Sequence, residues 1–242
     1  YRTNNQETLV QLLAKSKEIP NERNAENNPR VGADHRKGAD VTPQAFAETF
    51  GFRGVEFGNY VENEKRQQDL NEAYDALMDM AGVLNVPPKA ISLNGELGIA
   101  FGARGSGGKR PAKAHYESGH VVINLTKNKG AGSLGHEWWH ALDNYFSRMG
   151  GKAGDYATES GQVNSAAYGA DYSVPPGIRK EMIDAFGGVV KAIRTSSLRE
   201  RSKQLDKTRT KDYWSTMLEI TARSFESYLI SKLQDQNASN DY

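Results

Sequence analysis

His136, Glu137 and His140 stand in the order His-Glu-x-x-His, inside the stretch Gly130-Ala-Gly-Ser-Leu-Gly-His-Glu-Trp-Trp-His-Ala-Leu-Asp-Asn-Tyr-Phe146. A helix turns about 100° per residue, so positions i and i+4 lie nearly one above the other and two imidazoles can share one metal ion. Glu137 then stands beside that ion, where a general base of a hydrolase would hold water. A chain of this size carries the pattern by accident on the order of once in a hundred, so the spacing argues for chemistry.

Two histidines are too few for a catalytic zinc, which takes three protein ligands and keeps a fourth position open. A third histidine at the metzincin spacing is excluded, because Asp143 and Phe146 occupy those places. The remaining ligand is therefore expected to be a carboxylate from another element. Glu219 and Glu226 are both candidates, seven residues apart on one face of a C-terminal helix, and Asp171 is a more remote one. Glu219 has a competing structural role, since Thr216-x-x-Glu219 is also a capping box. Asp143, three residues after His140, is placed to bond a ligand imidazole from outside, or to be an exposed helix acid. Trp138 and Trp139 point away from the metal face and read as core. His115 and His120 read as solvent-exposed hairpin histidines, with lining of the cleft as the alternative.

The elements that must position these groups are bounded by composition. The 242 residues suffice for a substantial core and read as one domain, with 31 basic and 30 acidic residues giving a net charge of +1. That balance gives no overall polyelectrolyte attraction to nucleic acid or membrane. Cysteine is absent, which removes disulfides, thiolate zinc sites and a cysteine nucleophile together. No run approaches the roughly 20 apolar residues of a membrane span, and no signal-peptide pattern appears. An opening Tyr1 in place of Met reads as a piece of a longer chain.

Residues 6–18 have helical spacing and stop at Pro20, and 21–40 read as an irregular tether. Thr42-Pro43 is an N-cap with proline at the first helical position, so a short helix should run to Phe50 and end at Gly51. Residues 52–60 read as extended, and 64–84 as a long amphipathic helix closed by Pro87-Pro88. Strands are expected at 90–93, 97–103 and 120–125, with the Gly/Lys/Arg loop 104–113 between them. Ser133 should cap the motif helix and Gly150-Gly151 end it. Residues 151–175 read as an irregular lid or cleft-lining loop, followed by a helix from Pro176. The segment 191–211 is strongly basic, which marks a solvated face or a surface for nucleic acid. A last helix spans roughly 216–233, with a frayed tail at 235–242.

The run His136-Glu-Trp-Trp-His-Ala-Leu-Asp143, with Glu219-Ile-Thr-Ala-Arg-Ser-Phe225 far downstream, resembles the gluzincin metallopeptidases of the anthrax lethal factor type. The resemblance implies zinc on His136, His140 and Glu219, and Glu137 as the base. A tyrosine shortly before the ligand glutamate assists the oxyanion in that type; the nearest match is Tyr213, one position out of register. Together with Gly51-Phe-Arg-Gly-Val-Glu-Phe-Gly-Asn-Tyr60 and Ser92-Leu-Asn-Gly-Glu-Leu-Gly-Ile-Ala-Phe-Gly-Ala-Arg-Gly105, the motif stretch is also similar to zincin-like large polyvalent protein-associated domains. These occur within long proteins of phages and conjugative elements, and the similarity spans roughly 31–146 and 212–229.

The expected architecture is an α+β zincin-like domain at 41–234, preceded by a helix and tether at 1–40, with a small twisted sheet packed on the motif helix. The expected activity is peptide-bond hydrolysis in the cytoplasm of a bacterial host, with Zn2+ as cofactor, a peptide or protein as substrate, and strand 120–125 as an edge that pairs with it. Glu226 stands as the alternative third ligand. The rival functions are a nucleic-acid-associated accessory domain using 191–211, and a metal-dependent hydrolase of non-peptide amides. Oligomeric state is not legible.

Overall fold

The computed structural model describes residues 28–58, 63–104, 114–125 and 133–242. The helix expected at 6–18, most of the 104–113 loop and the glycines before Ser133 lie outside the described residues. Among those described, the fold is α+β, with seven α-helices and one four-stranded sheet. The chain falls into two compact units: the residues up to Trp138 together with Glu226–Tyr242, and the continuous stretch Trp139–Phe225.

The first unit is built from strongly signalled pieces. Helix α1 (Pro43–Phe50) begins where Thr42 Oγ1 accepts the Ala45 N–H at 3.1 Å and ends at Gly51, whose φ of 70° is left-handed. Its Phe46 and Phe50 are fully buried against Phe52, Tyr74 and Phe101, with ring centroids 5.2–6.3 Å apart. Strand β1 (Val55–Phe57) leads into helix α2 (Asn63–Leu84), which buries Leu70, Ala73, Leu77 and Ala81. Strands β2 (Gly98–Phe101), β3 (Ala114–Glu117) and β4 (Val122–Leu125) complete a sheet in the order β1-β2-β4-β3. The pairs β1/β2 and β2/β4 are parallel and β3/β4 is antiparallel. The inner strands β2 and β4 are buried at every position, as strands with neighbours on both sides tend to be.

Two expectations fail in this unit. Residues 88–92 form a 3-10 turn instead of a strand, because Pro88 starts it and Leu93, Asn94 and Gly95 all take positive φ, a combination no strand accommodates. The strand near 120–125 is not an edge: β4 is hydrogen-bonded to both β2 and β3 and has no free side to offer a peptide.

The tail, expected to fray, is tied down. Val31 and Ser239 form an antiparallel bridge with N···O distances of 3.0 and 2.8 Å. Asp241 accepts from the Asn28 backbone and side chain, and Asp79 on α2 accepts from Arg30, His35 and Asn240.

The second unit contains most of helix α3 (Leu134–Met149), a 3-10 turn at Ala157–Glu159, α4 (Gly161–Tyr168), α5 (Lys180–Thr195), α6 (Leu198–Asp206) and the start of α7 (Met217–Asp235). The segment 151–175 is thus partly helical and not an irregular lid. Ser160 Oγ accepts the Val163 N–H at 3.2 Å and nucleates α4. Val163 and Ala167 pack with Ile183, Phe186 and Val190 of α5, and Trp139, Phe146 and Met217 close over them.

Candidate metal centre

Helix α3 opens at Ser133, whose carbonyl accepts the Glu137 N–H at 2.9 Å. His136 and His140 both lie on this helix, one turn apart. His136, Glu137 and His140 are all buried, at 7–8% exposure, although each is polar. Burying such groups is costly without partners of matching chemistry, so their environment decides what they are for.

Helix α7 supplies that environment. Thr216 Oγ1 accepts the Glu219 N–H at 3.3 Å, which is one half of a capping box. The other half is not made: the Thr216 N–H donates to the Tyr213 carbonyl at 3.2 Å, and the Glu219 carboxylate turns inward. Glu219 Oε1 lies 3.6 Å from His140 Nε2, and Oε2 lies 3.5 Å from the Arg223 guanidinium. His136, His140 and Glu219 each offer a ligand atom, and these atoms all lie within 4.8 Å of one another. Two imidazoles and a carboxylate, without sulfur, form a donor set suited to Zn2+, with one position left for water.

The other expected site residues lie outside this set of three. Glu226 is outside the set of three and faces His136, its Oε2 3.8 Å from Nδ1. Asp143 is fully buried, and both its oxygens serve Thr158, one accepting the backbone N–H at 2.8 Å and the other the hydroxyl at 2.5 Å. Its first role is therefore to pin the 157–159 turn to α3, where a bond to a ligand imidazole is expected from the sequence. Burial pushes its carboxyl up to about 6, against the pull of the Thr158 donors. Tyr213 lies near Glu219 and Arg223; burial, then the Glu219 charge, push its phenol up to about 12. Asp171 is exposed and takes no part in the cluster.

Trp138 and Trp139 are packing residues, as their spacing suggests. Trp138 Nε1 donates to the Ile91 carbonyl at 2.8 Å. Trp139 Nε1 donates to Thr221 Oγ1 at 2.9 Å, and its ring lies against Phe186 and Phe225. His115 and His120 pair with Glu117 at 3.0 and 3.2 Å on the sheet.

Sequence reasoning passed over two residues at the site. Arg223 is four residues after Glu219 and is stacked at 4.0 Å over the Trp214 ring; the i,i+4 charge spacing was a usable signal. Tyr156 meets the His140 ring edge-on at 6.2 Å, and nothing in its local sequence marks it.

In the basic segment, Lys191, Arg199, Lys203, Lys207, Arg209 and Lys211 are exposed, whereas Arg194 bonds Asn164 at 2.6 Å and lies over Tyr168. The Asp206 carboxylate is turned inward to accept the backbone N–H groups of Tyr213, Trp214 and Ser215 at 2.8–3.1 Å. It thereby orders the approach to α7 and leaves Glu200 as the exposed acid of the segment.

Comparison with known families marks both ends of the chain. Residues 1–49 match the model of large polyvalent protein-associated domain 5, and residues 205–242 match that of large polyvalent protein-associated domain 1. The resemblance is to polyvalent-protein domains. It falls differently from the 31–146 and 212–229 expected: Tyr213, Glu219 and Glu226 lie within the second matched segment, and His136, Glu137 and His140 lie outside both. No curated protein matches the chain, and no solved structure does.

Proposed function

We propose that the chain is a zincin-type, zinc-dependent metallopeptidase domain of a phage or mobile-element polyvalent protein, acting in the bacterial host cytoplasm. The observation that carries this reading is the buried set of His136, His140 and Glu219 with Glu137 on the same helix. When bound there, zinc would supply Lewis acidity that polarises a carbonyl and lowers the pKa of a bound water to about 7.

The chain's own groups supply the rest. His136, His140 and Glu219 hold the ion, and Arg223 offsets the buried negative charge of Glu219 from its far oxygen. Glu137 takes the proton from the attacking water and delivers it to the leaving amine. Tyr213 keeps its proton at neutral pH, its phenol standing near 12, and so acts as a hydrogen-bond donor beside the ligand glutamate. Trp139 and the Asp143–Thr158 pair hold α3 and the 157–159 turn in place.

The test is metal analysis with peptide-library cleavage. Wild type should carry about one zinc per chain, and Glu137→Gln should keep the zinc and lose about 10²–10⁴-fold in hydrolysis. Full proteolysis by Glu137→Gln would sink the mechanism, and cleavage of simple amides but not peptides would move the activity to a non-peptide amidohydrolase.

The exposed basic face of 191–211 favours a second reading, a nucleic-acid-associated domain whose metal is structural. Salt-sensitive DNA binding that persists in Glu137→Gln, without any proteolysis in wild type, would select it. No described helix is long and apolar enough to cross a membrane.

A further inference from the structure

Helix α7 presents two glutamates to the two histidines of α3, and they address different nitrogens. Glu219 faces Nε2 of His140 at 3.6 Å, whereas Glu226 faces Nδ1 of His136 at 3.8 Å. An imidazole that gives one nitrogen to a metal carries its proton on the other, and that N–H is normally fixed by a carboxylate or carbonyl. The approach of Glu226 to Nδ1 leaves Nε2 of His136 for the ion.

Helix geometry separates the two roles further. Residues 136 and 140 are about 6 Å apart along their axis, whereas 219 and 226 are about 10.5 Å apart. One ion between the histidines can therefore be reached by only one of the two glutamates, and the other must overshoot to the outer side of a ligand ring. Glu226 is outside the three-atom cluster, yet its side chain is only 17% exposed and its partner His136 only 8%. A Cβ on Gly135 would lie 2.7 Å from Leu229 Cδ1, so glycine beside His136 leaves room for the Leu229 side chain, three residues after Glu226 on α7.

We infer that Glu226 is a positioning residue which, closing from the 3.8 Å of this structure, accepts the Nδ1–H of His136 in the zinc-bound protein and fixes the tautomer and ring orientation that present Nε2 to the ion. This rests on the metal-centre reading above. The carboxylate does not bind the metal and does not touch substrate.

The inference is tested on apo protein by zinc titration against a competing chromophoric chelator, for wild type, Glu226→Ala, Glu226→Gln and Glu219→Ala. Glu226→Ala should still take up one zinc, with Kd weakened by about 10–100-fold. Glu226→Gln, whose amide oxygen can accept the same proton, should recover most of that loss. The apo melting temperatures of the two Glu226 variants should agree, so that a fold defect does not account for the difference. Long-range 1H–15N spectra of the zinc form should show His136 as the Nδ1–H tautomer, and Glu226→Ala should broaden or shift that signal. Unchanged zinc affinity in Glu226→Ala, with wild type binding zinc, overturns this inference and leaves the metal centre standing. Loss of stoichiometric zinc in Glu226→Ala but not in Glu219→Ala makes Glu226 the ligand and overturns it too. Wild type that takes up no zinc overturns the metal-centre reading itself.

Discussion

The two units bury carboxylates by different means. In the first, Asp79 is met by Arg30, His35 and Asn240, and Asp75 by Arg36 at 3.0 Å, mostly cations brought in from the chain ends. In the second, Asp143 and Asp206 are met by neutral donors from nearby in sequence: Thr158 for the one, and the N–H groups of 213–215 for the other. Ion pairs join distant segments, but they require a cation to be buried with the acid. Backbone dipoles stabilise a carboxylate without one. The second unit thus orders the turns beside His140 and Glu219 with little rival positive charge, Arg223 being the exception. The Asp206 carboxyl shows how effective the dipoles are: burial would raise it, yet the Ser215 hydroxyl and three backbone donors hold it below the usual range.

The sharpest way to break this comparison is Asp143→Ala, which strands the Thr158 N–H and hydroxyl in the interior. A loss of about 2–4 kcal/mol is expected in urea unfolding, independent of salt, with Asp143→Asn recovering most of it. A salt-dependent loss would show that Asp143 is held by charge after all.

Next comes Asp79→Ala, expected to cost about 2–3 kcal/mol because it leaves the partly buried Arg30 without its partner. Although burial opposes it, the hydrogen bonds from Arg30, Asn240 and His35 hold the Asp79 carboxyl below its ordinary value. A lowered carboxyl stabilises the fold above its unfolded pKa and loses that contribution as pH falls through the folded one. The difference between wild type and variant should therefore be full at pH 7, shrink below about pH 4 and shrink again in 1 M salt. Denaturation curves under the three conditions check it. The smallest effect is His35→Ala, about 0.5–1 kcal/mol, since Arg30 still holds Asp79 by two hydrogen bonds of 2.6 and 2.8 Å.

Legibility follows the same division between local and distant causes. Thr42-Pro43 and Gly51 bound α1 because capping is written within a few residues, and the His136/His140 pair is legible because it needs only one helical turn. Glu219 and Glu226 share a face of α7, and no local rule says which meets His140 and which His136; that depends on where α3 lies. The apolar run 90–93 has strand composition, but Pro88 and the left-handed Leu93 turn it into a 3-10 segment. Helix α4 is hidden by a Gly/Ala/Ser-rich sequence whose one strong signal is the Ser160 cap. The tail of polar residues gives no hint of its bridge to Val31, because that partner lies at the opposite end of the chain.

That bridge has a consequence for biogenesis. The second unit is one uninterrupted stretch, whereas the first is completed only by residues from Glu226 onward, with Asn28 reaching across 213 positions to Asp241. A ribosome adding about 5–20 residues per second delivers the whole of 139–225 before the closing partners of the first unit exist. Residues 139–225 therefore need nothing downstream of them to form their own contacts, whereas Asn28 and Val31 meet their partners only once Ser239 and Asp241 have been made.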